Sequence, residues 1–124
     1  MLADELAEQS NGFVGEVPPW QYYRAPWYCS LERGLVWRYM ARHDVRYALT
    51  AVADLAGGFA GMPAEMASAD WAAEYRVSLA HAYALAGDVA AAQSELAVAR
   101  AAAEKARSKR VLQMIKGTER AVAG

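Results

Sequence analysis

From Trp27 onward the apolar residues of this chain recur at intervals of three and four, the spacing of a helix with one buried face. Trp27, Leu31, Gly34, Trp37 and Ala41 line one side of a helix over roughly 27–41. Tyr28, Leu31, Leu35 and Tyr39 line a second side, so this helix is apolar on two faces. Asp44 is placed to cap a second helix whose inward positions are Val45, Ala48, Leu49, Val52, Leu55 and Ala56. The glycines of Gly57-Gly58 and then Gly61-Met62-Pro63 read as its end. A third helix, capped by Ser68 or Asp70, carries Trp71, Tyr75, Leu79, Ala82, Tyr83 and Ala86. Gly87 supplies a left-handed stop and Asp88 a cap for a fourth helix, which buries Val89, Ala92, Leu96, Ala99 and Ala103. Ser108 marks a break before a last helix with Val111, Leu112 and Ile115, ending near Gly117. No stretch alternates with period two for long enough to make a sheet, so the expected class is all-α.

Ahead of this core, residues 1–10 fit a short, weakly amphipathic helix (Leu2, Leu6), followed by the breaker Ser10-Asn11-Gly12. A linker then runs to Pro18-Pro19, where consecutive prolines stop any helix. The division expected is an N-terminal helix and linker over 1–17, one helical domain over 18–117, and a frayed tail over 118–124.

A chain of 124 residues suits a single modest core, and 56% hydrophobic against 22% charged residues is a globular composition. A net charge of -1 excludes a globally basic nucleic-acid binder and leaves only local patches. One such patch is the stretch from Arg100 to Arg120, which reads first as a solvated helix face and second as a contact for an anionic partner. The single cysteine, Cys29, has no partner for an internal disulfide, which fits a reducing compartment. The acidic start, Met1-Leu2-Ala3-Asp4-Glu5, is unlike a secretory leader, and no uncharged apolar run reaches the roughly 20 residues that span a bilayer. A cytoplasmic protein without a membrane partner is expected.

Leu79-Ala80, Tyr83, Gly87, Ala92, Leu96 and Ala99 have the spacing of a tetratricopeptide repeat, with small residues where two helices cross and bulky ones beside them. A degenerate copy precedes it at an offset of 46 residues, with Gly34, Trp37, Ala41 and Ala53 in place of Ala80, Tyr83, Gly87 and Ala99. It departs at Arg46, where a small residue is expected, and at Thr50, where a large apolar one is. The order of Pro18-Pro19-Trp20-x-Tyr22-Tyr23, Leu31-x-Arg33-Gly34, Ala41-Arg42-His43-Asp44, Trp71-Ala72 and Ser108-x-Arg110-Val111 around that repeat extends the likeness over about 17–116. In these features the chain resembles the C-terminal tetratricopeptide-like domain of actinomycete regulators that carry a phage-repressor-type helix-turn-helix. Residues 1–17 are too short to hold that DNA-reading part. The resemblance therefore implies only the sensor or interaction role of the helical domain, and nucleic acid is not expected as a partner without a separate DNA-binding domain.

Catalytic chemistry finds little support in the residue pattern. His43 and His81 lie in different helical pairs, with no carboxylate at triad or metal-pair spacing, and no cofactor is implied. Cys29 has Arg24 and Arg33 near it in sequence, yet reads as an ordinary half-buried thiol. Gly57-Gly58-x-x-Gly61 follows a helix rather than a strand and lacks the Lys-Ser/Thr of a phosphate loop. Asp54, Glu65, Asp70 and Glu74 read as cap and surface residues.

What the resemblance implies instead is a groove lined by the inner helices. Tyr28, Leu31, Leu35, Arg38 and Tyr39 come from the first pair, and Glu74, Val77, His81 and Leu85 from the second. Apolar walls with a few polar groups suit a peptide or protein partner. The rival reading is a small helical enzyme or small-molecule carrier using the aromatic cluster Trp20, Tyr22, Tyr23 and Trp27 as a pocket, although rings so dense also serve as a lid on the first helical pair. Two pairs alone leave apolar faces uncovered, so a homodimer is expected.

Overall fold

A computed structural model of the chain describes residues 25–67 and 69–123; Ser68 and the segment 1–24, with the expected N-terminal helix, Trp20, Tyr22 and Tyr23, lie outside the described residues. Among the described residues there are five α-helices and no strand: α1 Pro26–Ala41, α2 Ala48–Gly61, α3 Asp70–Leu85, α4 Val89–Ala106 and α5 Lys109–Ala123. Short 3-10 turns at Val45–Tyr47 and Ala64–Met66 precede α2 and α3. The fold of these residues is all-α. No helix among them is long and apolar enough to cross a membrane.

α1 and α2 form one antiparallel hairpin. Gly34 faces Leu55, Gly58 faces Leu31 and Gly61 faces Trp27, so the two helices run past each other in opposite senses. Ser30 Oγ donates to the Asp54 carbonyl at 2.7 Å across the same contact. α3 and α4 form the second hairpin. Ala80 and Ala92 are fully buried in one cluster with Val77, Leu96, Ala99 and Ala103, where short side chains let two helices approach closely. Arg76 bridges to Glu95 of α4 at 2.9 Å and lays its guanidinium 4.3 Å from the Phe59 ring of α2. α5 closes the second hairpin with Val111 and Ile115, both fully buried.

The inner helices α1, α3 and α5 run parallel and side by side. Trp27 stacks on Trp71, Tyr75 donates to Glu32 at 2.5 Å, and Arg38 meets His81, all at a near-constant register between α1 and α3. Glu74 of α3 pairs with Arg110 of α5 in the same sense. α2 and α4 occupy the outer side of their hairpins.

Several sequence expectations change. The double glycine does not end α2, which continues through Gly57 and Gly58 to Gly61. A Cβ on Gly58 would lie 2.6 Å from Leu31 and 2.9 Å from the Trp27 carbonyl, so this glycine serves close helix packing rather than termination. Asp44 caps the 3-10 turn, accepting the Arg46 N–H at 3.1 Å, and α2 starts only at Ala48; Ala48 and Leu55 are buried as expected, and Val52 and Ala56 pack against the core. Val45 and Leu49, expected inward, are 62% and 71% exposed, while Ala51 joins Ala48, Leu55 and Gly58 on the buried face.

Ala51, Leu55, Gly58 and Met62 of the first hairpin are buried, as are Ala92, Leu96, Ala99 and Ala103 of the second at an offset of 41 residues, whereas Arg46, Thr50 and Ala53 are exposed. Helix α3 begins with Ala69 at its N-cap and no side-chain cap hydrogen bond, in place of the expected Ser68 or Asp70. Val89, expected inward, is 44% exposed. Helix α4 ends on Arg107 in the left-handed conformation, and Ser108 Oγ then accepts the Val111 N–H at the start of α5. α5 continues beyond Gly117 to Ala123, so residues 118–123 are helical rather than frayed.

Candidate functional site

Parallel inner helices leave a furrow between them, and the side chains that fall into it are set by helical geometry. Two adjoining clefts lie there, of about 270 and 240 Å³. Arg38 of α1, Ser78 of α3 and Met114 of α5 line both, so the two form one continuous channel. Toward the N-terminal ends of α1 and α3 the walls are Leu35, Glu74 and Tyr75. Toward their C-terminal ends they are Val77, His81, Gly117, Thr118 and Ala121.

The two ends of the channel carry different polar groups. At one end Glu74 pairs with Arg110, and Tyr75 donates to Glu32. Burial first, then that bond to Glu32, drives the Tyr75 hydroxyl well above its ordinary range, so it stays a neutral donor. At the other end an Arg38 terminal nitrogen sits 3.2 Å from His81 Nδ1. Burial, with Arg42 adding like charge, lowers the Arg38 pKa, though an arginine keeps its proton at any physiological pH. Burial also pushes His81 below its ordinary value, assisted by the charges of Arg38 and Arg42. His81 is therefore neutral near pH 7, and its Nδ1 accepts from Arg38, which leaves the proton on Nε2.

Of the groove residues expected from sequence, Leu35, Arg38, Glu74 and His81 come together along this channel. Val77 is 3% exposed and belongs to the second core cluster, touching the channel only as its floor. Leu31 is a correction: it is fully buried between α1 and α2 beneath Gly58, where a groove ligand could not reach it. Tyr39 is 57% exposed and packs edge-on against His43 at 5.6 Å, away from the channel lining. Tyr28 packs against Trp27 and Tyr75, and Leu85 is half-buried without lining either cleft. Of the suggested aromatic pocket only Trp27 is described, and its ring is stacked on Trp71 at 6.2 Å.

Ser78, Met114, Gly117, Thr118 and Ala121 are channel residues that the sequence pattern does not reveal. Those on α5 are hidden because that helix reads only as a cap, and Ser78 because a serine between apolar neighbours carries no signal of its own. In the basic stretch, Arg100 pairs with Glu119 and Arg110 with Glu74, so part of that charge is neutralised within the fold. Among the described residues no group of three or more His, Cys, Asp or Glu side chains could hold a metal ion.

Compared with known proteins, the chain matches no family model, and no curated protein or solved structure matches it significantly.

Proposed function

We propose that this chain is a tetratricopeptide-like interaction module that receives a peptide or a segment of a partner protein along the channel between α1, α3 and α5, and that it acts in bacterial regulation. The observation that carries the reading is the channel itself: three parallel helices expose apolar walls at Leu35 and Met114, with the Glu74–Arg110 ion pair at one end and Arg38 with His81 at the other. Such a surface offers packing area for affinity and different polar ends for direction. The placement in regulation rests on the likeness to sensor domains of helix-turn-helix regulators. Self-association is part of the proposal, supported by Val36, Tyr39 and Met40, which form an exposed stripe on α1.

The test is a selection of random peptides against the full chain, repeated with Gly117→Trp. Gly117 lines the channel, and a Cβ there meets nothing within 4 Å, so the backbone at this position has room for a side chain beside the channel. Selected peptides are expected to lose about tenfold or more in affinity for this variant, equivalent to about 1.4 kcal/mol. Unchanged binding to Gly117→Trp would reject the channel as the partner site.

A further inference from the structure

We propose that the Arg38 end of the channel is a carboxylate-binding site, shaped for a ligand with one carboxylate beside a short apolar chain. The case begins with an unmatched cation. Arg33, Arg46, Arg76, Arg100 and Arg110 each pair with a carboxylate; among the described arginines without one, Arg42, Arg107 and Arg120 are exposed and Arg38 alone is half-buried. Its Nε is buried without a hydrogen-bond partner, and its one side-chain partner is His81 Nδ1 at 3.2 Å. The charge that acts on it is Arg42, of like sign. A half-desolvated guanidinium with unspent donors is costly to leave unmatched, and a carboxylate is the planar acceptor that fits its fork.

The surroundings narrow the ligand further. Neutral His81 carries its proton on Nε2 and so remains a donor, and the Thr118 hydroxyl lines the same cleft. With His81 neutral, Arg38 is the one cation that lines the cleft, with exposed Arg42 adding its charge from outside the lining, and a planar monoanion is enough to match the single guanidinium fork. Leu35 and Met114 continue the channel as an apolar wall for the rest of the molecule. At the far end Glu74 is paired with Arg110 and Glu32 accepts from Tyr75, so no unpaired cation stands there to receive a second carboxylate.

This inference shares the channel with the function proposed above but not its partner class, and the two fail separately. Peptides without acidic groups could be selected and still be blocked by Gly117→Trp, which would keep the interaction module and remove the carboxylate site. The direct experiment follows the His81 imidazole of the full chain by NMR during titration with hexanoate, hexanol, hexylphosphonate and a blocked tripeptide bearing one glutamate. Hexanoate is expected to bind saturably and to raise the His81 pKa, because its charge cancels that of Arg38. Tighter binding of the tripeptide would identify the source as a peptide side chain, and tighter binding of hexanoate a small organic acid; either supports the site.

Arg38→Gln is expected to weaken hexanoate about tenfold or more and to abolish the pKa response, with Arg38→Lys intermediate because it keeps the charge and loses the fork. Equal binding of hexanol, preference for hexylphosphonate, or an unresponsive His81 would each overturn the proposal, and all three are read on the native chain.

Discussion

Alanine introduced at Gly57 and at Gly58, one position at a time, distinguishes helix propensity from helix packing within a single turn of α2. Both glycines lie inside the helix, so either replacement gains about 0.5–1 kcal/mol by relieving the entropy of a helical glycine. At Gly57 the new methyl would have Ser30 Oγ as its nearest neighbour at 3.7 Å, an ordinary contact, and the gain is retained. At Gly58 the same methyl would lie 2.6 Å from Leu31 Cγ and Cδ2 and 2.9 Å from a backbone carbonyl. Leu31 is fully buried and cannot withdraw, so α1 and α2 must separate, at the overpacking cost of about 1–3 kcal/mol or more. The net expectation is stabilisation of about 0.5–1 kcal/mol for Gly57→Ala and destabilisation of about 1–2 kcal/mol for Gly58→Ala. For a domain of this size the two melting temperatures should then differ by about 5–15 °C. Thermal unfolding followed by far-UV circular dichroism reads that gap directly. If both variants stabilise equally, Gly58 is not at a helix contact and the first hairpin is packed differently.

Other perturbations check separate parts of the structure. Arg107 holds φ at 55°, so Arg107→Gly should stabilise by about 0.5–1 kcal/mol, measured by urea unfolding, and a loss of stability would contradict the left-handed helix end. Asp88 accepts the Ala91 N–H at 3.1 Å, and Asp88→Ala should cost about 0.5–2 kcal/mol in the same assay. His81 has a lowered pKa in the fold, so the unfolded chain binds its proton more readily. Its contribution to stability is complete above the ordinary histidine value of about 6.5 and is lost as pH falls through that value toward the lower folded one. His81→Gln should flatten this part of the stability–pH curve, and an unchanged slope would show that His81 is not desolvated.

The helical pattern made α4 legible because Ala92, Leu96, Ala99 and Ala103 keep the period and are buried where they are expected, with Val89 at the exposed first turn as the exception. The first hairpin misled for two physical reasons. Glycine serves both as a helix stop and as a place for close approach, and the spacing of Gly57-Gly58 cannot separate these roles. The 3-10 turn at Val45–Tyr47 also takes Val45 out of the helix, and Val45 and Leu49 lie exposed while Ala51, which the expected face lacked, is buried beside Leu55. Arg38 and His81 were each legible as groove candidates, but their contact joins positions 43 residues apart and depends on the register of α1 against α3. The role of α5 as a channel wall rests on Met114 and on Gly117, a residue that from sequence alone marks an end.

The methionines offer the most direct test of the channel as the binding site. Met114 lines it, Met62 is buried between α1, α2 and α3, and Met40 is exposed on α1 outside the channel lining. With the methionine methyl groups of the full chain isotopically labelled, a selected peptide should shift the Met114 resonance in proportion to occupancy while Met40 stays in place. A shift at Met40 with Met114 unmoved would put the partner on the opposite side of α1 and contradict the channel.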